Sequence, residues 1–370
     1  MLLSLLFAPR AEGRPVADIP FSLQGVHIFV MAKVNGQGPF PMNIDTGGGM
    51  GLSLGLARKL GISSEGDIVG GGAGGNTVKF GMAKNLSVGL GGVTLSGLSG
   101  TIDGNLEDAA AGIGPELFQA YTVAFDYDRL RMRLYPKGTI PALPKASKLS
   151  LRLQDDGKPL ILVKVGDQEG WFMADTGGGV SLIVQKNFWQ PRQVDRQSPK
   201  LVKAIVGYGV GGPIYGRFGR LPKLSFGGID MPNSLASFSD MTQGTLSNPK
   251  RAGIIGQRIL RRFNVVFDYA NASVYLTPNE AFARPASFGR TGLSGLAEGY
   301  GYPVDYVIKG SAGERAGMRK GDVIVAIDGQ RLDETSAAQA FARAEGTRLK
   351  LLVLRGDRTF ETTLVLREVL

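Results

Sequence analysis

The 370-residue chain has no cysteine and a single histidine, His27. Without thiols there are no disulfides, no thiolate metal sites and no cysteine nucleophile. With one histidine a histidine-rich metal centre cannot be assembled, and a Ser-His-Asp triad would depend on His27 alone. That residue sits in the alternating run Val26, His27, Ile28, Phe29, Val30, which suits a packed or edge-strand histidine. No metal and no cofactor is implied. Long apolar runs are missing as well: nothing approaches the roughly 20 apolar residues that cross a bilayer, so no transmembrane span is expected. Met1 to Ala8 is apolar but lacks the positive leading segment of a secretory signal. Residues 1–19 are read as a signal remnant or a flexible N-terminus, and the protein as exported, periplasmic or secreted.

Glycine and basic residues, by contrast, are abundant. The 55 glycines and 19 prolines exceed what helices tolerate, which predicts a mostly β fold of strands, tight turns and hairpins. Lys and Arg outnumber Asp and Glu by 42 to 32, a net charge of +10. These cations are dispersed and no aromatic residues interleave with them to stack bases, so nucleic acid is not an expected partner. In Arg129, Leu130, Arg131, Met132, Arg133, Leu134 the period of two places three arginines on one solvated face of a strand. Arg258, Arg261 and Arg262 fit the exposed side of a short helix. The run Gly47-Gly48-Gly49-Met50-Gly51 is not a phosphate loop, because no Gly-Lys-Ser or Gly-Lys-Thr follows it.

The segment 26–136 recurs, with variation, over 160–278. Met42-Asn43-Ile44-Asp45-Thr46-Gly47-Gly48-Gly49 is answered by Phe172-Met173-Ala174-Asp175-Thr176-Gly177-Gly178-Gly179. Ala111-Gly112-Ile113-Gly114 corresponds to Gly253-Ile254-Ile255-Gly256, and Val123-Ala124-Phe125-Asp126-Tyr127 to Val265-Val266-Phe267-Asp268-Tyr269. Matched blocks in one order imply two homologous β lobes, 20–145 and 146–283, about a pseudo-twofold axis. A glycine-rich hairpin containing Gly74 and Gly75, and a second one with Tyr208 and Tyr215, hold comparable places and are read as flaps over a cleft.

One Asp-Thr-Gly suits an ordinary turn. Two at equivalent places put one carboxylate from each lobe at the axis, so Asp45 and Asp175 are expected to meet and to share one proton over a wide pH range. Such a pair is an acid and a base at once, able to activate water between them. Gly47 and Gly177 let the chain turn and approach closely; Thr46 and Thr176 offer hydroxyls that brace the turns. With these residues, residues 20–280 resemble the aspartic peptidases of the pepsin and retropepsin type. The resemblance implies an aspartic-type endopeptidase acting on peptides or unfolded protein, with threonines bonded across the lobe interface. It departs from that family at Gly48 and Gly178, where a hydroxyl residue or alanine usually follows Asp-Thr-Gly.

Over 284–370, Gly310-Ser311-Ala312-Gly313-Glu314-Arg315-Ala316-Gly317-Met318, then Gly321-Asp322 and Ile327-Asp328-Gly329, resemble a bacterial-type PDZ domain. That resemblance implies capture of an extended peptide on a sheet edge, with Gly299, Tyr300, Gly301 and Tyr302 forming the loop for a terminal carboxylate. Because both aspartates lie in one chain, a monomer is expected to assemble the site. The alternative reading is a catalytically inactive peptide-binding scaffold.

Overall fold

A computed structural model describes residues 13–104, 110–284, 286–296, 301–332 and 334–370. The protein is mostly β, as its glycine and proline content implies. Twenty strands between Ala17 and Pro278 are joined in one continuous network of pairings.

The two halves of this body repeat one pairing scheme. In the first, His27–Val34 pairs with Gln37–Ile44 and with the long strand Thr77–Leu90. In the second, Pro159–Val165 pairs with Gln168–Asp175 and with Gly212–Phe226. Gln37–Ile44 then runs parallel to Ala111–Ile113, and Gln168–Asp175 runs parallel to Gly253–Gly256. A short strand follows each Asp-Thr-Gly: Gly51–Ser53 is parallel to Val93–Asp103, and Leu182–Val184 to Ile229–Ser239. Parallel pairing buries a strand on both faces. Ala174, Ile255 and Val184 are accordingly inaccessible.

An antiparallel sheet ties the halves together. Phe125, Ala124 and Val123 of Tyr121–Asp126 lie opposite Val265, Val266 and Phe267 of Phe263–Asp268. The side chains there interlock edge to face, with Phe118 and Phe267 centroids 5.3 Å apart. Phe118, Phe125, Phe263 and Phe267 are all fully buried. Each contributes about 1.5–3 kcal/mol from burial alone.

The arginine-rich segment differs from its sequence reading. Leu130 has a positive φ of 52° and sits in the turn, so the strand begins only at Arg131. Arg129 closes the turn on Asp126, while Arg131 and Arg133 reach Asp18 on the neighbouring strand. The face is an ion-pair lattice shared by three chain segments.

The C-terminal unit has its own core, including Val304, Met318, Ile324, Leu349, Leu351, Val353 and Leu364. Its sheet orders Tyr302–Pro303, Val323–Ile327, Arg348–Arg355 and Arg358–Val365. The Gly-Asp turn braces this sheet, because buried Asp322 accepts from the Arg319 amide and from Arg355 at 2.6 Å. Ser311 caps the helix Ala312–Arg315 through the Glu314 amide. This unit docks on the second half through Phe288, Ile308, Ala204 and Leu235, against which Tyr306 and Leu370 also pack.

Candidate active site

Each Asp-Thr-Gly closes the C-terminal end of a strand that is paired on both sides, which fixes where the turn points. Within the turn the carboxylate folds back on its own backbone. Asp45 Oδ1 accepts from the Gly47 and Gly48 amides at 2.8 Å, and Asp175 Oδ1 from Gly177 and Gly178 at 2.9 and 2.8 Å.

The threonines then lock one turn to the other. Thr46 Oγ1 donates to the Ala174 carbonyl at 2.6 Å and accepts the Thr176 amide at 2.9 Å. Thr176 Oγ1 donates to the Ile44 carbonyl at 2.8 Å and accepts the Thr46 amide at 3.0 Å. Both threonines are buried. The glycines are required by contact: a Cβ at Gly47 would lie 2.5 Å from Asp175 Cγ, and one at Gly177 would overlap Asp45 Cγ. Each carboxyl thus lies against the glycine of the opposite turn, which brings the two face to face.

Burial raises the Asp175 carboxyl well above the usual range, and the Asp45 charge and hydrogen bond push the same way; the Gly178 and Gly177 amides oppose it. The two carboxyls therefore titrate as a pair that shares one proton. The outer oxygens lie beside glycine: a Cβ at Gly48 would stand 2.6 Å from Asp45 Oδ2, and one at Gly178 would stand 2.8 Å from Asp175 Oδ2.

Two neighbours carried no signal in the sequence. His27 bonds the Gly177 backbone and faces Asp45; burial holds its ring below the usual imidazole range, with Asp45 opposing. Arg251 is buried, donates to the Thr245 carbonyl and to Met173 Sδ, and lies within electrostatic reach of Asp175. Only the fold brings these side chains to residues remote from them in the chain.

The hairpins meet each other. Gly74 donates to the Val210 carbonyl at 3.0 Å and Asn76 to Gly211 at 3.4 Å, while Thr245 donates to Gly72 at 3.0 Å. A Cβ at Gly74 would overlap the Gly212 backbone, and one at Gly75 would lie 2.6 Å from Met241 Cε. Val180, just past the second glycine run, packs in the same cluster as Ala73, Val206 and Ile214. The hairpins thus connect to the carboxyl loop through apolar contact.

The remaining candidates separate from this centre. Tyr208 donates to Asp305 Oδ2 at 2.7 Å, and burial with that carboxylate keeps its hydroxyl protonated beyond the usual phenol range. It latches the second hairpin to the C-terminal unit. Tyr215 is exposed, lining a surface hollow with Asp240 and Met241. Gly301 has φ 152° beside Val323, and Tyr302 pairs with Ile324 and packs on Phe341 at 5.1 Å. Gly299 and Tyr300 lie outside the described residues, as does the apolar start 1–12.

Residues 304–355 match the PDZ domain family, which bears out the reading of the Gly-Asp turn and the Ile-Asp-Gly hairpin. Over 59 residues the chain is 44% identical to a protein from Synechocystis sp. named putative serine protease HhoA; the stretch is 15% of this chain and 15% of that protein. That relative overturns the expectation of an aspartic-type endopeptidase of the pepsin or retropepsin type, since its name is that of a serine protease. The expectation rested on a duplicated Asp-Thr-Gly and the matched blocks around it. Asp-Thr-Gly specifies a turn and a carboxylate, and its repetition specifies where two carboxylates meet; neither fixes a reaction. No helix among the described residues is long and apolar enough to cross a membrane.

Proposed function

We propose that the chain is a peptide-processing protein whose PDZ domain takes up an extended polypeptide and passes it to the β body. The observation that carries this reading is the PDZ match over residues 304–355, beside a β body whose two aspartate turns are locked together by reciprocal threonine bonds. In this reading Thr46, Thr176, Gly47 and Gly177 position the pair, and Gly74 and Gly75 form part of a mobile cover. The site is complete within one chain, and the body divides at 20–145 and 146–283. Export to the periplasm or beyond belongs to the same reading.

The test is cleavage of an unfolded protein between about pH 3 and 8, spanning carboxylate titration. Wild type is compared with Asp45→Asn and Asp175→Asn, and with wild type treated with a serine-directed fluorophosphonate. Cleavage by folded wild type supports peptide processing; inactivation by the fluorophosphonate, with both aspartate variants active, assigns the cleavage to a serine nucleophile. A folded wild type that binds peptide without cleaving it would leave the second reading, a peptide-binding scaffold, which the glycines at 48 and 178 favour.

A further inference from the structure

Outside the carboxyl site, a cavity of about 500 Å³ is lined by Arg258, Arg261, Arg262 and Arg284, with Leu23 and Tyr127 as an apolar wall. Its size falls within the ~300–1,000 Å³ range of small-molecule sites. Two acids, Asp128 and Glu280, share the lining, leaving a formal excess of two positive charges. Asp128 is already committed, accepting from Asn264 Nδ2 at 2.9 Å and from the Glu280 amide at 3.2 Å. None of the four arginines forms an ion pair among the described residues.

The guanidinium groups are held in place and left with free donors. Arg258 spends its Nε on the Gly179 carbonyl at 2.9 Å, which leaves both of its terminal nitrogens free. Arg262 spends Nε and Nη2 on the Phe282 carbonyl, which leaves Nη1. The guanidinium groups of Arg261 and Arg284 bond no acceptor among the described residues. Arg258 is exposed and stands beside the Arg261 charge. Gathering like charges in one hollow is unfavourable unless an anion completes it.

We propose that this cavity binds a small multivalent oxyanion of the phosphate type, gripped by the free forks of Arg258, Arg261, Arg262 and Arg284. Planar guanidinium donors match tetrahedral oxyanions bidentately, and several converging arginines favour an anion with more than one charge over a single carboxylate. The Arg258 bond to Gly179 places this site one residue from the glycine turn that seats Asp175.

Titration calorimetry with inorganic tripolyphosphate in about 0.15 M salt, where surface attraction is screened, tests the binding. Arg261→Gln and Arg284→Gln are the informative variants, because neither side chain bonds the fold. Saturable binding at one site is expected, weakened about tenfold or more by each substitution, as for loss of a charge-assisted hydrogen bond. Lys84→Gln, on the remote surface, should leave it unchanged. Co-sedimentation with phosphatidylglycerol vesicles runs in parallel. Vesicle binding that depends on the two arginines, without tripolyphosphate binding, would assign the same site to a lipid phosphate. Absence of both, or binding equal in wild type and folded variants, would overturn the proposal.

Discussion

Thr46→Val removes one oxygen and nearly preserves shape. That oxygen serves two buried partners in the other half, the Ala174 carbonyl and the Thr176 amide. Valine can satisfy neither, and Thr46 is inaccessible, so water cannot replace it. An orphaned buried group costs about 1–3 kcal/mol, so the substitution should cost about 2–6 kcal/mol. Both tryptophans, Trp171 and Trp189, lie in the second half and report its unfolding by fluorescence in urea. With an m-value of about 3 kcal/mol/M, the midpoint should fall by roughly 0.7–2 M. Thr176→Val removes the other two bonds. The double variant should cost less than the sum, because a turn already released by the first change has less left to lose. A midpoint shift below about 0.2 M for Thr46→Val, less than 1 kcal/mol by the same m-value, would refute the claim that these hydroxyls hold the halves together.

Because Asp175 ionises at higher pH in the fold than in the unfolded chain, folding takes up a proton, and stability falls as pH rises from the ordinary carboxylate range through the raised value. Asp175→Asn cannot ionise, so its melting temperature should gain on wild type between about pH 4 and pH 8; a gap that stays constant would refute the raised carboxyl. Tyr208→Phe removes the bond to Asp305 and should cost about 1 kcal/mol, the value for a partly exposed charged acceptor. Hydrogen exchange over Leu201–Gly209 should quicken, and unchanged exchange would mean that the Phe288 and Ile308 contacts dock the hairpin alone.

The carboxyl site was legible because repetition carries information that a single motif does not. Asp45 and Asp175 follow apolar strands of matching pattern, and Thr46 and Thr176 occupy the positions from which only a hydroxyl can reach across. The PDZ domain was legible because Gly321, Asp322 and the Ile327-Asp328-Gly329 turn are local. The reaction was not, since a turn motif does not encode its substrate. His27 was read only as a strand residue; its place beside Asp45 depends on the turn at Gly177, which approaches from 150 positions away. Arg129 broke its alternation because Leu130 enters the left-handed region, a choice made by the turn rather than by hydrophobic period. Tyr208 was assigned to a cleft because hairpin aromatics are common there; its partner Asp305 lies in another unit, and no pattern links the two.

The lock between the threonines also has a history in time. Its four hydrogen bonds join residues 128, 130 and 132 positions apart. A chain made from its N-terminus presents Asp45 long before Asp175 exists, and the strands that seat Asp175 are complete only after Gly256. No shorter nascent chain can hold the paired carboxyls. Their pairing arrives only with the nearly finished β body, while the C-terminal unit that follows Pro278 is still to be made.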